Sequence, residues 1–359
     1  MRASQPECIA MNNSFSQSRH NDRQLALWLF VVAALIFGMV VLGGVTRLTE
    51  SGLSMVNWKP VTGFLPPIGE TEWLAEFEQY RTSPEYLKKN AGMSLDDFKS
   101  IFWFEYSHRL LGRIIGLAFL IPFLFFLWQG KIRRPLIPRF IILFILGGLQ
   151  GVLGWYMVKS GLVNIPQVSQ YRLTAHLSAA IILYAFILWT AMSLWRSQQL
   201  VESQPSLNGL RKHGHITLAI ISIMIISGGL VAGTKAGYVF NTFPMMAGQW
   251  LPPGGMALNP WWLNFFENLA TVQFSHRVFA IVVALTVFTY ALRGWRSKAI
   301  NDTTCFTFTL LFLTLLIQIG LGIATLLHVV PVTLGAMHQA GALLLFTLAL
   351  ILSHRLRMH

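Results

Sequence analysis

The stretch "LALWLFVVAALIFGMVVLGGV", residues 25–45, runs without a single charge. A helix rising 1.5 Å per residue needs ~20 such residues to cross a bilayer core. Working outward, further apolar runs stand at roughly 101–127, 139–158, 173–194, 216–233, 272–292, 305–327 and 332–353. The chain therefore reads as an all-α polytopic membrane protein with eight transmembrane helices. Its composition agrees: of 359 residues 54% are hydrophobic and only 11% charged, well under half the ~25% usual in soluble domains. The first run exceeds the ~7–15-residue apolar core of a signal peptide and reads as a retained helix.

A net charge of +13 raises nucleic acid as a partner, and its distribution argues against that. Basic residues gather in short connections: Arg2, Arg19 and Arg23 in the tail; Lys131, Arg133, Arg134 and Arg139; Arg196, Arg211 and Lys212; Arg293, Arg296 and Lys298; Arg355 and Arg357 at the end. This asymmetry places both termini in the cytoplasm, or in the matrix of a mitochondrion. Glu7 and Asp22 make the tail a poor mitochondrial presequence, so a bacterial inner membrane is the expectation. Cys8 and Cys305 lie too far apart in kind and place to suggest a disulfide or thiolate metal site. The long connections 46–100 and 234–271 fall on the outer side. In the first, "EWLAEFEQY" (72–80) puts Trp73, Phe77 and Tyr80 on one helical face. That helix either lies along the membrane surface or packs on the rest of its loop.

The chain repeats itself. "VVLGGVTRLTESGL" (40–53) leads to "NWKP" and "LPP"; "IISGGLVAGTKAGY" (225–238) leads to "NTFP" and "LPP". "SHR" recurs at 107–109 and 275–277, Gln150 and Gln318 share that spacing, and "TAHLSAA" (174–180) matches "GAMHQAGA" (335–342). Two pseudo-symmetric four-helix bundles follow, with an axis along the membrane normal. The division is a cytoplasmic tail 1–24, an N-terminal half 25–196, a cytoplasmic linker 197–215 and a C-terminal half 216–359.

Four of the ten histidines, His108, His176, His276 and His338, fall near the outer ends of alternate helices, two per half. Ionisable groups inside a membrane are expensive and mark function. The competing reading is hydrogen-bonded glue between helices, which explains one histidine better than four at one depth. Two imidazoles on facing helices of a bundle suit the iron of a haem. Gly112 and Gly116 would give the macrocycle room, and Arg109 and Arg277 would meet its propionates by forked hydrogen bonds. His328 has Ser160 at the matching offset and reads as an interfacial polar residue.

Glu105 lies three residues before His108, on the same helix face, while the second half has Gln273 there. A carboxylate kept once suggests that one half performs chemistry, as general base or by stabilising positive charge. The alternative is an interfacial charge paired with Arg109.

Taken together, "ESGLSMVNWKPVTGFLPP", "FEYSHRLLGR", "GWYMVKSGL", "VSQYRLTAHLS", "NTFP", "FSHR" and "LGAMHQAGAL" resemble haem A synthase over about residues 25–353. The resemblance implies that His276 and His338 ligate a haem b. It implies that the N-terminal half takes up haem O as substrate, with Glu105, His108 and His176 at the family's catalytic positions. It implies successive oxidation of a ring methyl of haem O to the formyl group of haem A, for cytochrome oxidase biogenesis. Haem O synthase, cytochrome oxidase assembly factors and an unidentified electron acceptor would be partners, in the lipid bilayer. The first outer loop lacks the cysteine pair of some relatives. The rival class is a di-haem b-type membrane cytochrome that only transfers electrons.

Overall fold

The computed structural model describes residues 5–58, 63–163, 166–196 and 205–357, with backbone alone for 5–16. Residues 197–204 of the expected linker, the side chain of Cys8 and His359 lie outside the described residues, while 208–215 of that linker form the first turns of α7. The helices are α1 (Gln5–Leu48), α2 (Glu70–Arg81), α3 (Pro84–Lys88), α4 (Leu95–Trp128), α5 (Ile137–Lys159), α6 (Gln170–Trp195), α7 (Asn208–Thr234), α8 (Asn264–Glu267), α9 (Leu269–Trp295), α10 (Asp302–Leu327) and α11 (Val332–Arg357). Among the described residues eight of these, all but α2, α3 and α8, carry segments long and apolar enough to cross a membrane.

The apolar runs mark these helices well, and the ends are set by chemistry outside them. α1 begins at Gln5, far upstream of its apolar run. α4 begins six residues earlier than its run, because the Ser94 hydroxyl caps it by accepting from Asp97 N–H, with Asp96 and Asp97 in the first turn. Asn268 caps α9 in the same way, accepting from Ala270 and Thr271 N–H.

The long helices pack into two rings. In one, α1, α4, α5 and α6 each touch two neighbours, which sets α4 diagonally opposite α6. In the other, α7, α9, α10 and α11 do the same, with α9 opposite α11. The rings meet where α1 packs on α11 and α6 packs on α7 and α11. This shared wall holds much of the core, including Leu25, Leu29, Ile187, Ala191, Leu343 and Ala349. By contrast α4 and α5 turn Ile114, Leu117, Ile121, Ile142 and Leu149 outward, as lipid-facing helices do.

Hydrogen bonds fasten the wall. Gln339 Nε2 donates to Val40 O at 2.6 Å, and Gln167 Nε2 donates to Gly233 O at 3.3 Å. Arg47 donates to Ala232 O. Glu50 accepts from both Lys89 and Lys235, bridging the connection after α1 to the end of α7. Partial burial alone would raise the Glu50 carboxyl; hydrogen bonds from Lys235 and Lys89 outweigh it and hold the group at about 2.

The amphipathic helix of the first long connection is α2, and it lies on protein. Trp73, Phe77 and Tyr80 are buried against Phe98, Phe102 and Tyr106 of α4. The extra turns of α4 supply the apolar surface that a membrane would otherwise have covered. Beside them Glu85 is buried, accepting from Tyr80 Oη at 3.1 Å, and burial pushes its carboxyl up to about 7.

Candidate functional site

His108 sits on α4 and His176 on α6, the diagonal pair of the first ring; His276 on α9 and His338 on α11 are the diagonal pair of the second. All four rings are half-buried. Each abuts a glycine of a neighbouring helix. A Cβ on Gly43 would stand 3.1 Å from His108 Nε2, and one on Gly154 3.2 Å from His176 Cε1. One on Gly228 would stand 3.4 Å from His276 Cε1, and one on Gly322 2.9 Å from His338 Cε1. Bare backbone is what lets an imidazole lie there. Of the two glycines expected to give the macrocycle room, a Cβ on Gly112 would stand 3.2 Å from Met39 Cε, and nothing lies within 4 Å of one on Gly116. Gly43 and Gly228 were visible in the sequence repeat, whereas Gly154 and Gly322 carried no signal beyond lying four residues after the repeated glutamines.

Nitrogen accounting supports a ligand on these rings. The Nδ1 atoms of His176 and His338 are buried with no hydrogen-bond partner. Nδ1 of His276 is within hydrogen-bond distance of Ser227 Oγ, at 3.2 Å. An Nδ1–H donating to that hydroxyl leaves the Nε2 lone pair free for a metal. Among the described residues no three His, Cys, Asp or Glu side chains gather into a metal cluster. Each site thus offers two imidazoles across an apolar bundle. That donor set fits haem iron, whose other four ligands come from the macrocycle.

The carboxylate present only in the first half is turned toward the loop after α1. Glu105 is 3% exposed. Its Oε2 accepts from Ser54 Oγ at 2.7 Å and from Met55 N–H at 2.8 Å. Its Oε1 accepts from Arg109 Nη2 at 2.5 Å and Nε at 3.1 Å. Arg109 also donates from Nη2 to Met55 O at 2.8 Å and from Nη1 to Asn57 O at 2.9 Å. Gln273 and Arg277 hold the loop after α7 by the opposite polarity. Gln273 Nε2 donates to Ala236 O at 3.0 Å and Phe240 O at 3.2 Å. Arg277 donates to Pro244 O, Phe240 O and Gln273 Oε1 at 3.3, 3.0 and 3.3 Å. One loop presents an N–H and a hydroxyl, the other two carbonyls, so one position takes an acceptor-only side chain and the other an amide donor. The Glu–Gln difference therefore has a local structural cause alongside any chemical one. His328 is exposed at the C-cap of α10, as an interfacial residue would be.

The profile of the cytochrome oxidase assembly protein family matches residues 26–350. The chain belongs to that family. Within the family, it is similar to a protein of Nitrosospira multiformis, with 52% identity over 94% of both chains. It is also similar to one of Parvibaculum lavamentivorans, 48% identical over 96% of this chain and 97% of the relative. A third, of Nitrosomonas eutropha, is 47% identical over 97% of each. All three are named heme A synthase.

Proposed function

We propose that this chain is a haem A synthase of a bacterial inner membrane, with both termini cytoplasmic, that oxidises a ring methyl of haem O to a formyl group. The observation that carries the reading is the two diagonal histidine pairs, each seated on glycines, in a chain whose relatives bear that name. His276 and His338 would hold haem b. Ser227 beside His276 supports assigning the resident cofactor to this ring, since a ligand fixed by a second hydrogen bond suits permanent binding. When bound, haem b supplies one-electron transfer.

His108 and His176 would hold haem O, the substrate. Glu105 would support the methyl oxidation as the negative end of its ion pair with Arg109, one turn from His108, oriented so as to favour positive charge developing on the substrate. Its four accepted hydrogen bonds fill the ~four lone-pair sites of a carboxylate, which favours the electrostatic role over proton abstraction. Arg109 and Arg277 each retain a donor beyond those spent on the loops, Arg277 in its unpartnered buried Nε, and these would serve the propionates. Ser54 and Met55 are site residues that the sequence did not single out; only contact with Glu105 reveals them.

Purification after co-expression with a haem O source, followed by haem extraction and chromatography, tests the reading. Haem b together with haem A or its alcohol precursor is expected. His276→Ala and His338→Ala should abolish haem b, while His108→Ala and His176→Ala should keep haem b and lose conversion. Two equivalents of haem b and no modified haem would instead make the protein an electron-transfer cytochrome.

A further inference from the structure

The two halves also differ at the end of the bundle away from the histidines. Between the start of α7 and the end of α9 lies a cavity of about 400 Å3, lined by Lys212, His213, Ile216, Leu285, Thr289 and Arg293. That volume falls within the ~300–1,000 Å3 of small-molecule sites. Arg293 reaches across from α9: a Cβ on Gly209 of α7 would stand 2.9 Å from its Nη2. Its Nη1 donates to His213 Nδ1 at 3.2 Å. With Nδ1 accepting, His213 carries its proton on Nε2, which lies 3.5 Å from Thr289 Oγ1. The imidazole thus holds the guanidinium in place and brings no negative charge. Among the described residues no carboxylate pairs with Arg293 or Lys212.

The first half does without this polar set. In the repeat that aligns Gly43 with Gly228 and Ser107 with Ser275, the counterparts of Lys212, His213, Thr289 and Arg293 are Leu27, Trp28, Ile121 and Phe125. Trp28 is buried against Phe119, Phe126 and Phe140, and its Nε1 donates to Ala118 O at 2.8 Å. Basic residues at the same end of that half are already spent: Arg133 pairs with Asp22 at 3.2 Å, and Lys131 donates to Gln24 Oε1 at 2.8 Å. Helix packing alone therefore does not call for two cations and an imidazole between α7 and α9.

We infer that this cavity binds the phosphate of an anionic phospholipid of the cytoplasmic leaflet, clamping α7 to α9. The site depends on the cytoplasmic placement proposed above and on nothing in the haem reaction.

A guanidinium fixed by one N–H keeps the rest of its fork for phosphate oxygens, and Lys212 adds a second positive charge. Each cation at the cytoplasmic surface strengthens binding of anionic lipid about 5-fold. Ile216 and Leu285 lie deeper toward the membrane centre and are exposed, which gives the acyl chains of the same lipid a surface to follow. A free phosphate ion has no use for that surface. The clamp also has a consequence at the other end of the pair. Ser227 and Gly228 of α7 meet the His276 ring of α9, so a lipid bridging these two helices steadies the seat of that ring.

The test titrates purified, delipidated full-length protein with phosphatidylglycerol, phosphatidylcholine or inorganic phosphate, followed by native mass spectrometry and thermal unfolding. Phosphatidylglycerol should bind and raise Tm, and the other two should not. Lys212→Leu combined with Arg293→Phe gives α7 and α9 the residues of the first half and should weaken that binding about 30-fold. Lys212→Leu alone, at an exposed position, should weaken it about 5-fold and keeps the test decisive should the double variant unfold. Arg296→Leu combined with Lys298→Leu removes two exposed charges outside the cavity and should change nothing. Unaltered binding in the cavity variants would overturn the inference. Equal weakening by the Arg296 and Lys298 changes would do so too, by showing surface charge alone. Equal stabilisation by phosphatidylcholine would show a non-specific lipid surface, and by inorganic phosphate a small-anion site, and either would refute it.

Discussion

Glu105→Gln should loosen the loop after α1 before it changes anything else. The carboxylate accepts four hydrogen bonds, from Ser54 Oγ, Met55 N–H and two nitrogens of Arg109. Glutamine keeps one of the two oxygens. If that oxygen stays with Arg109, the new NH2 faces Met55 N–H; the Ser54 hydroxyl can turn to accept, but the amide cannot. One orphaned buried N–H costs about 1–3 kcal/mol. Arg109, 14% exposed, also loses its ionic partner, and breaking a buried pair costs about 3–5 kcal/mol. Partial exposure of the guanidinium and its carbonyl partners bring the combined effect down to about 3 kcal/mol, roughly two decades in a local opening equilibrium. Hydrogen–deuterium exchange of peptides spanning residues 51–57 reads that opening directly, with haem b absorbance checking that the rest of the protein is intact. Haem conversion should fall together with protection. Unchanged protection in this loop would refute the reasoning, whatever happened to activity.

Two further outcomes are expected. Gly322→Ala places a Cβ 2.9 Å from His338 Cε1, so the ring must shift and haem b content per protein should drop, while Gly116→Ala, with nothing within 4 Å, should leave it unchanged; equal occupancy in both would show that the close approach is unimportant. Glu85 is held up at about 7 by burial, so the folded loop keeps a proton that the unfolded chain releases. Its contribution is complete below the ordinary carboxyl range near 4.5 and is lost as pH rises through 7. Trp73 fluorescence and proteolysis of α2 should therefore report loosening that sets in above about pH 4.5 and is complete by about pH 7, and Glu85→Gln should flatten that dependence.

The eight spans were legible because lipid imposes length and hydropathy on every crossing segment, and the histidines stood out because the same solvent makes them costly. What escaped the sequence depends on a second surface. The apolar face of α2 has the same pattern whether it meets lipid or protein; the extra turns of α4, with Phe98 and Phe102, decide for protein. The Glu105–Gln273 difference was noticed, but its partners Met55 N–H, Ala236 O and Phe240 O are backbone atoms that no residue pattern reveals. Gly154 and Gly322 matter through the rings laid against them, and a glycine in an apolar run announces no partner.

The shared wall of α1, α6, α7 and α11 carries one histidine from each site, His176 and His338, while the other two stand on α4 and α9, outside it. Each site is therefore bounded partly by protein that answers to the neighbouring site and partly by helices whose backs are wetted by acyl chains. Lateral pressure and hydrocarbon thickness act on the second kind of boundary and hardly on the first. The bilayer is in this sense a structural subunit of the site, and a detergent that replaces it is a substitution as real as any in the chain.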